Sequence, residues 1–120
     1  MENNLKYRLF DFAVRVIKFL QLLPGNTENK VIRYQLAKSA TSSGANYEES
    51  QSGSSKADFI YKTEISLREI RESNYWLRII KATNNLSEIN FSELTYLINE
   101  SEELKKILGS IVVKSKKSNN

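Results

Sequence analysis

The sequence predicts an all-α fold, an antiparallel up-down-up-down four-helix bundle, and three observations carry that prediction. Apolar residues recur at alternating spacings of three and four through four long segments, which is the signature of helices with one buried face. The breaks between segments are short, so successive helices must double back on one another. No segment of useful length alternates with a period of two, as a half-buried strand would. The chain has 120 residues, enough for one modest core.

The first helix is predicted over residues 5–23. Leu5, Leu9, Phe12, Val16, Phe19 and Leu23 form one apolar stripe, and Phe10, Ala13, Val14, Ile17 and Leu20 widen it. Only Arg8, Asp11, Arg15 and Lys18 remain as a narrow polar strip. A helix apolar around more than half its girth has more to bury than one bundle seam consumes. Pro24-Gly25 stops it, since proline cannot continue the hydrogen-bond ladder.

The second helix is predicted over residues 28–52, capped by Asn26 or Thr27. Its centre, Ser39-Ala40-Thr41-Ser42-Ser43-Gly44-Ala45, holds only small residues and could form a flexible loop. The helical reading is preferred because Leu36, Ala40, Ser43 and Tyr47 keep one face continuous through it, and small side chains there let a neighbouring helix approach closely. The run from Ser50 to Ser55 is read as a turn.

The third helix is predicted over residues 56–83, with Ser55 and Asp58 as a capping box. Phe59, Thr63, Ser66, Ile70, Ser73 and Leu77 occupy core positions, flanked by Ile60, Leu67, Trp76 and Ile80. Glu64 and Arg68 stand at a favourable i,i+4 spacing. The fourth helix is predicted over residues 91–113, with Asn90 as cap, Glu93 closing the box and Ile89 stapling to Leu94. Residues 114–120 are expected to form a disordered basic tail.

Composition narrows the chemistry. There is no cysteine and no histidine, which removes disulfides, thiolate nucleophiles, His-assisted serine sites and zinc sites built on Cys or His. A di-iron bundle centre would need Glu-x-x-His motifs on two helices, which the chain lacks. The expectation is a protein with no enzymatic activity, no cofactor and no metal. No apolar run reaches the length of a bilayer span and no signal-peptide pattern opens the chain, so a cytoplasmic location without membrane contact is expected.

The net charge of +4 is unevenly placed, with +4 on residues 1–47, −3 on residues 48–113 and +3 beyond. Two readings follow. A basic first hairpin could complement an acidic second one across the bundle. Alternatively Lys6, Arg8, Arg15, Lys18, Lys30 and Arg33, with Lys114, Lys116 and Lys117 of the tail, could bind RNA or DNA. Trp76 beside Tyr75 could stack a base, though core or interface packing is the commoner use of such a residue.

Gln35-Leu36-Ala37-Lys38-Ser39-Ala40 and Ser43-Gly44-Ala45-Asn46-Tyr47-Glu48-Glu49, with the later run from Ser55 to Lys62 and Tyr75-Trp76-Leu77-Arg78, resemble the signatures of the four-helix-bundle family of the 23S rRNA intervening-sequence protein. The resemblance covers nearly the whole domain. It implies a left-handed antiparallel bundle and, as in several relatives, a homopentamer. A related protein of diversity-generating retroelements binds reverse transcriptase and nucleic acid. The family's polar motif positions fall on Gln35, Lys38, Asn46, Glu49, Glu69 and Glu72, where a structural role is the plainer reading. Expected partners are further copies of the chain, with RNA, DNA or another protein as alternatives. A protein-interaction adaptor without nucleic-acid binding is the competing function.

Overall fold

The computed structural model describes residues 2–118 and is all-α, with four helices and no strand among those residues. They are α1 (Glu2–Leu20), α2 (Thr27–Ser50), α3 (Lys56–Thr83) and α4 (Glu88–Lys117). The particle measures 49 × 22 × 20 Å, the long dimension being that of its longest helices. α1 packs on α2 and α4, and α3 packs on α2 and α4, while the diagonal pairs do not meet.

The predicted seams are the buried ones. Leu9, Phe12, Val16 and Phe19 of α1 are excluded from solvent together with Leu36, Ala40 and Tyr47 of α2. Ile70, Leu77 and Ile80 of α3 and Leu94, Leu97, Leu104 and Leu108 of α4 complete the core. Burying each such large side chain contributes roughly 1.5–3 kcal/mol. The small-residue centre of α2 is helical throughout, and its hydroxyls are used. Ser39 Oγ and Ser73 Oγ lie 2.7 Å apart, and Ser66 Oγ donates to the Ser43 carbonyl over 2.7 Å. Short side chains on both helices are what allow α3 to come within that reach. Further along, Asn74 Nδ2 donates to Ser101 Oγ at 2.8 Å, tying α3 to α4. Among the described residues no buried side-chain nitrogen or oxygen lacks a partner.

Several boundaries differ from the sequence expectation. α1 begins earlier, at Glu2, and ends at Leu20. Bonds from Leu22 N to Phe19 O and Leu23 N to Leu20 O then tighten the chain into a turn that still buries Leu23. α2 starts at Thr27 with Asn26 as its cap, the Asn26 side chain accepting from Asn29 N at 2.8 Å. It ends at Ser50, and Gly53 takes a φ of 83° in the turn, a conformation that glycine adopts without penalty. α3 has the predicted bounds, with Ser55 accepting from Asp58 N.

The start of α4 is a correction. Ser87, not Asn90, is the cap, and its side chain accepts from Asn90 N. Asn90 therefore lies inside the first turn, and Ile89 is 81% exposed instead of stapling to Leu94. At the far end α4 continues to Lys117, so residues 114–117 are helical and not a disordered tail. Contacts to α3 hold this extension: Lys116 pairs with Glu64 at 2.6 Å, and Lys56 Nζ donates to Ser118 Oγ. Glu64 is thus committed to Lys116 and not to Arg68. Asn119 and Asn120 lie outside the described residues.

Candidate functional site

The surplus apolar girth of α1 is visible as a groove. With Leu9, Phe12 and Val16 turned into the core, Phe10, Ala13, Val14 and Ile17 face outward beside α2, where Thr41, Gly44 and Ala45 are too small to cover them. The resulting hollow has a volume of about 630 Å³. Phe10 is 60% exposed, so this surface is uncovered within one chain. Lys18 stands at one edge and Glu48 at another. Such a contiguous apolar surface with charged margins is the chemistry of a protein–protein contact.

The arginines that the sequence nominated for nucleic acid are engaged inside the bundle. Arg8 reaches Glu100 through Nε at 2.9 Å and Nη2 at 2.7 Å. Arg15 does the same to Glu93 at 3.0 and 2.7 Å, and its guanidinium lies 3.6 Å from the centre of the Tyr96 ring. These carboxylates hold both guanidinium pKa values above the ordinary arginine value, against a smaller opposing effect of burial. Arg33 donates to the carbonyls of Leu20, Leu23 and Pro24, so it satisfies the open end of α1. The charge-complementarity reading describes Arg8 and Arg15, whereas Arg33 is taken up by backbone carbonyls of its own hairpin. Lys6, Lys18, Lys30, Lys114 and Lys117 remain exposed at scattered places, while Lys116 is paired with Glu64.

The polar motif residues divide in the same way. Asn46 donates to the Ser42 carbonyl and hydroxyl at 2.9 and 3.0 Å, and Glu72 accepts from Trp76 Nε1 at 3.1 Å. Glu49 lies 4.0 Å from Lys62. Gln35 is half-buried and Lys38 exposed. Glu69 binds its proton more tightly than an ordinary carboxyl, because burial and the charge of Glu72 outweigh the attraction of Arg68 and Lys38. Glu69 and Glu72 share one side of α3, but no group of three or more metal-ligating side chains occurs among the described residues.

Sequence reasoning passed over one set of basic residues, Arg68, Arg71 and Arg78, which are exposed on α3. Their spacing of three and seven, around Tyr75, was the available signal.

The model of the 23S rRNA-intervening sequence protein family matches residues 2–110. A crystal structure of a protein of unknown function from the S23 ribosomal protein family of Bacteroides thetaiotaomicron is 33% identical. It superposes with a TM-score of 0.79 over 90% of this chain and 97% of the other. No curated protein matches the chain. No helix among the described residues is long and apolar enough to cross a membrane.

Proposed function

We propose that this chain, which belongs to the 23S rRNA-intervening sequence protein family, is a non-enzymatic cytoplasmic scaffold that self-associates through the α1/α2 groove and presents basic surface to nucleic acid. The observation that carries the reading is the groove itself, an uncovered apolar hollow of about 630 Å³ beside a helix whose opposite face already fills the core. Its edges bear Lys18 and Glu48, so a second copy supplying one charge of each sign would complement it.

A finer arrangement of the bundle is part of the proposal. Arg8 with Glu100 and Arg15 with Glu93 run in opposite directions along α1 and α4. Asn29 with Asn84 and Ser39 with Ser73 do the same along α2 and α3, as do Glu64 with Lys116 and Asn74 with Ser101 along α3 and α4. These registers support the antiparallel up-down-up-down order, and the family resemblance supports the left hand. A groove that receives a different surface of the next copy makes a head-to-tail contact, which closes into a ring when the rotation allows. The pentamer that the resemblance implies is such a ring. Repetition would then turn a modest charge per subunit into useful avidity.

The absence of enzymatic activity is supported by a chain without histidine or cysteine and by arginines occupied in structural pairs. The test is a Phe10→Ser/Ile17→Ser variant set beside Val113→Ser, which alters an exposed apolar residue elsewhere. The groove variant should sediment at a lower mass than the control while keeping its helicity. Equal masses for the two would reject the groove as the contact. An adaptor that recognises only protein is the second reading, favoured by the same apolar surface; it predicts self-association with no retention of RNA or DNA at low salt.

A further inference from the structure

We infer that the outer face of α3 is a contact strip for single-stranded nucleic acid, formed by Arg68, Arg71, Tyr75 and Arg78. Spacings of three, four and three place these residues on one side of the helix, and all four are exposed. The strip runs for about 15 Å at the helical rise per residue.

What separates these arginines from Arg8, Arg15 and Arg33 is that their charge is unspent. Neither Arg68 nor Arg71 makes an ion pair or hydrogen bond among the described residues. Arg78 uses Nε to donate to Asn74 Oδ1 at 2.9 Å, which orients the guanidinium and leaves its remaining N–H groups outward. Glu69, next to Arg68, is half-buried and attracts its charge without bonding to it, while the carboxylates one turn away on either side are drawn elsewhere. Glu64 is held by Lys116 at 2.6 Å, and Glu72 accepts from Trp76 Nε1 at 3.1 Å.

Tyr75 sits between the guanidiniums with 47% of its surface exposed. Its ring stands edge-on to Trp76 at 5.2 Å between centroids, at an interplanar angle of 71°, and the Arg78 guanidinium lies 5.7 Å from the ring centre. The ring is thereby held by two neighbours while nearly half of the residue stays exposed. Planar guanidinium forks match phosphate oxygens, and a supported aromatic face accepts an unstacked base. A duplex hides its base faces inside the stack, so this pairing of forks with one ring fits a single strand.

This surface deepens the nucleic-acid part of the reading above, and it stands whether or not the chain self-associates. The experiment is fluorescence anisotropy with a labelled single-stranded RNA, the DNA of the same sequence, and the duplex, each titrated over salt. Sedimented mass and circular dichroism are recorded on every sample. Wild type should bind one or both single strands at low salt in preference to duplex. The triple Arg68→Gln/Arg71→Gln/Arg78→Gln variant should lose more than about tenfold in affinity, and its log–log salt slope should flatten by about 2, as three lost phosphate contacts require. Tyr75→Ala should weaken binding about tenfold with the slope unchanged, the mark of lost stacking. A Lys6→Gln/Lys30→Gln/Lys114→Gln variant should retain most of the affinity.

The strip is overturned if wild type binds no single strand at low salt, prefers duplex, or is matched by the arginine variant. It is overturned equally if the lysine variant is the one that loses binding. Should the triple variant misfold, Arg68→Gln and Arg71→Gln singly carry the test, since neither side chain holds a structural bond. A wild-type mass of one chain with this binding pattern intact would reject the assembly reading and leave the strip standing.

Discussion

Arg8 and Glu100, separated by 92 residues in sequence, clasp each other through two parallel N–H···O bonds of 2.9 and 2.7 Å. The Glu100 side chain keeps only 12% of its surface exposed and that of Arg8 keeps 29%, so the pair is shielded better than a typical surface bridge. Such fork geometry is worth more than a single lysine contact. Arg8→Ala is expected to lower stability by about 1 kcal/mol, and Arg8→Lys should recover less than half of that. Chemical denaturation of both variants at low and high salt checks this; a full rescue by lysine would mean that charge alone matters.

The contact of Ser39 with Ser73 fixes how closely α2 and α3 approach. Ser73→Ala leaves the Ser39 hydroxyl its Leu36 carbonyl partner at 3.3 Å, so the expected cost is about 1 kcal/mol. Ser73→Val inserts volume where both side chains are fully buried, and overpacking should cost about 1–3 kcal/mol. Thermal melts should rank wild type above alanine and alanine above valine. A valine variant as stable as alanine would show that the seam has room to spare.

Gly44 is helical and pays for its backbone freedom without full need of it. A Cβ added there would lie 3.5 Å from Leu9 Cβ and 3.6 Å from the Leu9 backbone, which is ordinary contact. Gly44→Ala should therefore stabilise the fold by about 0.5–1 kcal/mol. A lower melting temperature would mean that α1 packs more tightly on α2 than these distances show.

Glu69 supplies a pH signature. Burial and the neighbouring Glu72 raise its pKa above the ordinary 4.5, so the folded chain binds this proton more tightly than the unfolded chain does. Its contribution is most favourable below 4.5 and is lost as pH rises through the folded value. Glu69→Gln should accordingly raise the melting temperature at neutral pH, with the difference shrinking toward zero as the pH falls below the ordinary carboxyl value. A gain that persists in acid would assign the effect to packing and not to charge.

The cap of α4 separates two similar-looking residues. Ser87→Ala removes the acceptor for Asn90 N and should cost about 1 kcal/mol. Asn90→Ala, inside the helix, should cost clearly less. The reverse order would restore Asn90 as the cap.

That last case shows where the residues were legible and where they were not. Periodicity located all four helices, and Ser55 with Asp58 three residues on placed the start of α3 correctly. Ser87 and Asn90 are both good caps one turn apart, and local pattern favours the one backed by Glu93. In the structure Glu93 instead reaches Arg15 across the bundle, and Leu86, just before Ser87, packs against the core. The extension of α4 beyond Val113 depends likewise on Glu64 and Lys56 of another helix. The excess apolar girth of α1 was readable from Phe10, Val14 and Ile17 alone. Whether a given arginine is spent or free was not, because the partners of Arg8, Arg15 and Arg33 are chosen by tertiary register. Arg68, Arg71 and Arg78 looked like ordinary helix-surface residues until the others were seen to be occupied.

The most direct test of the account is the mass of the wild-type chain in solution, measured by sedimentation equilibrium over a range of concentrations. A single subunit weighs 13.8 kDa. The uncovered groove beside Phe10 predicts a stable species at a whole multiple of that mass, which persists on dilution and is lost in the groove variant. A particle of one subunit's mass at every concentration would contradict it.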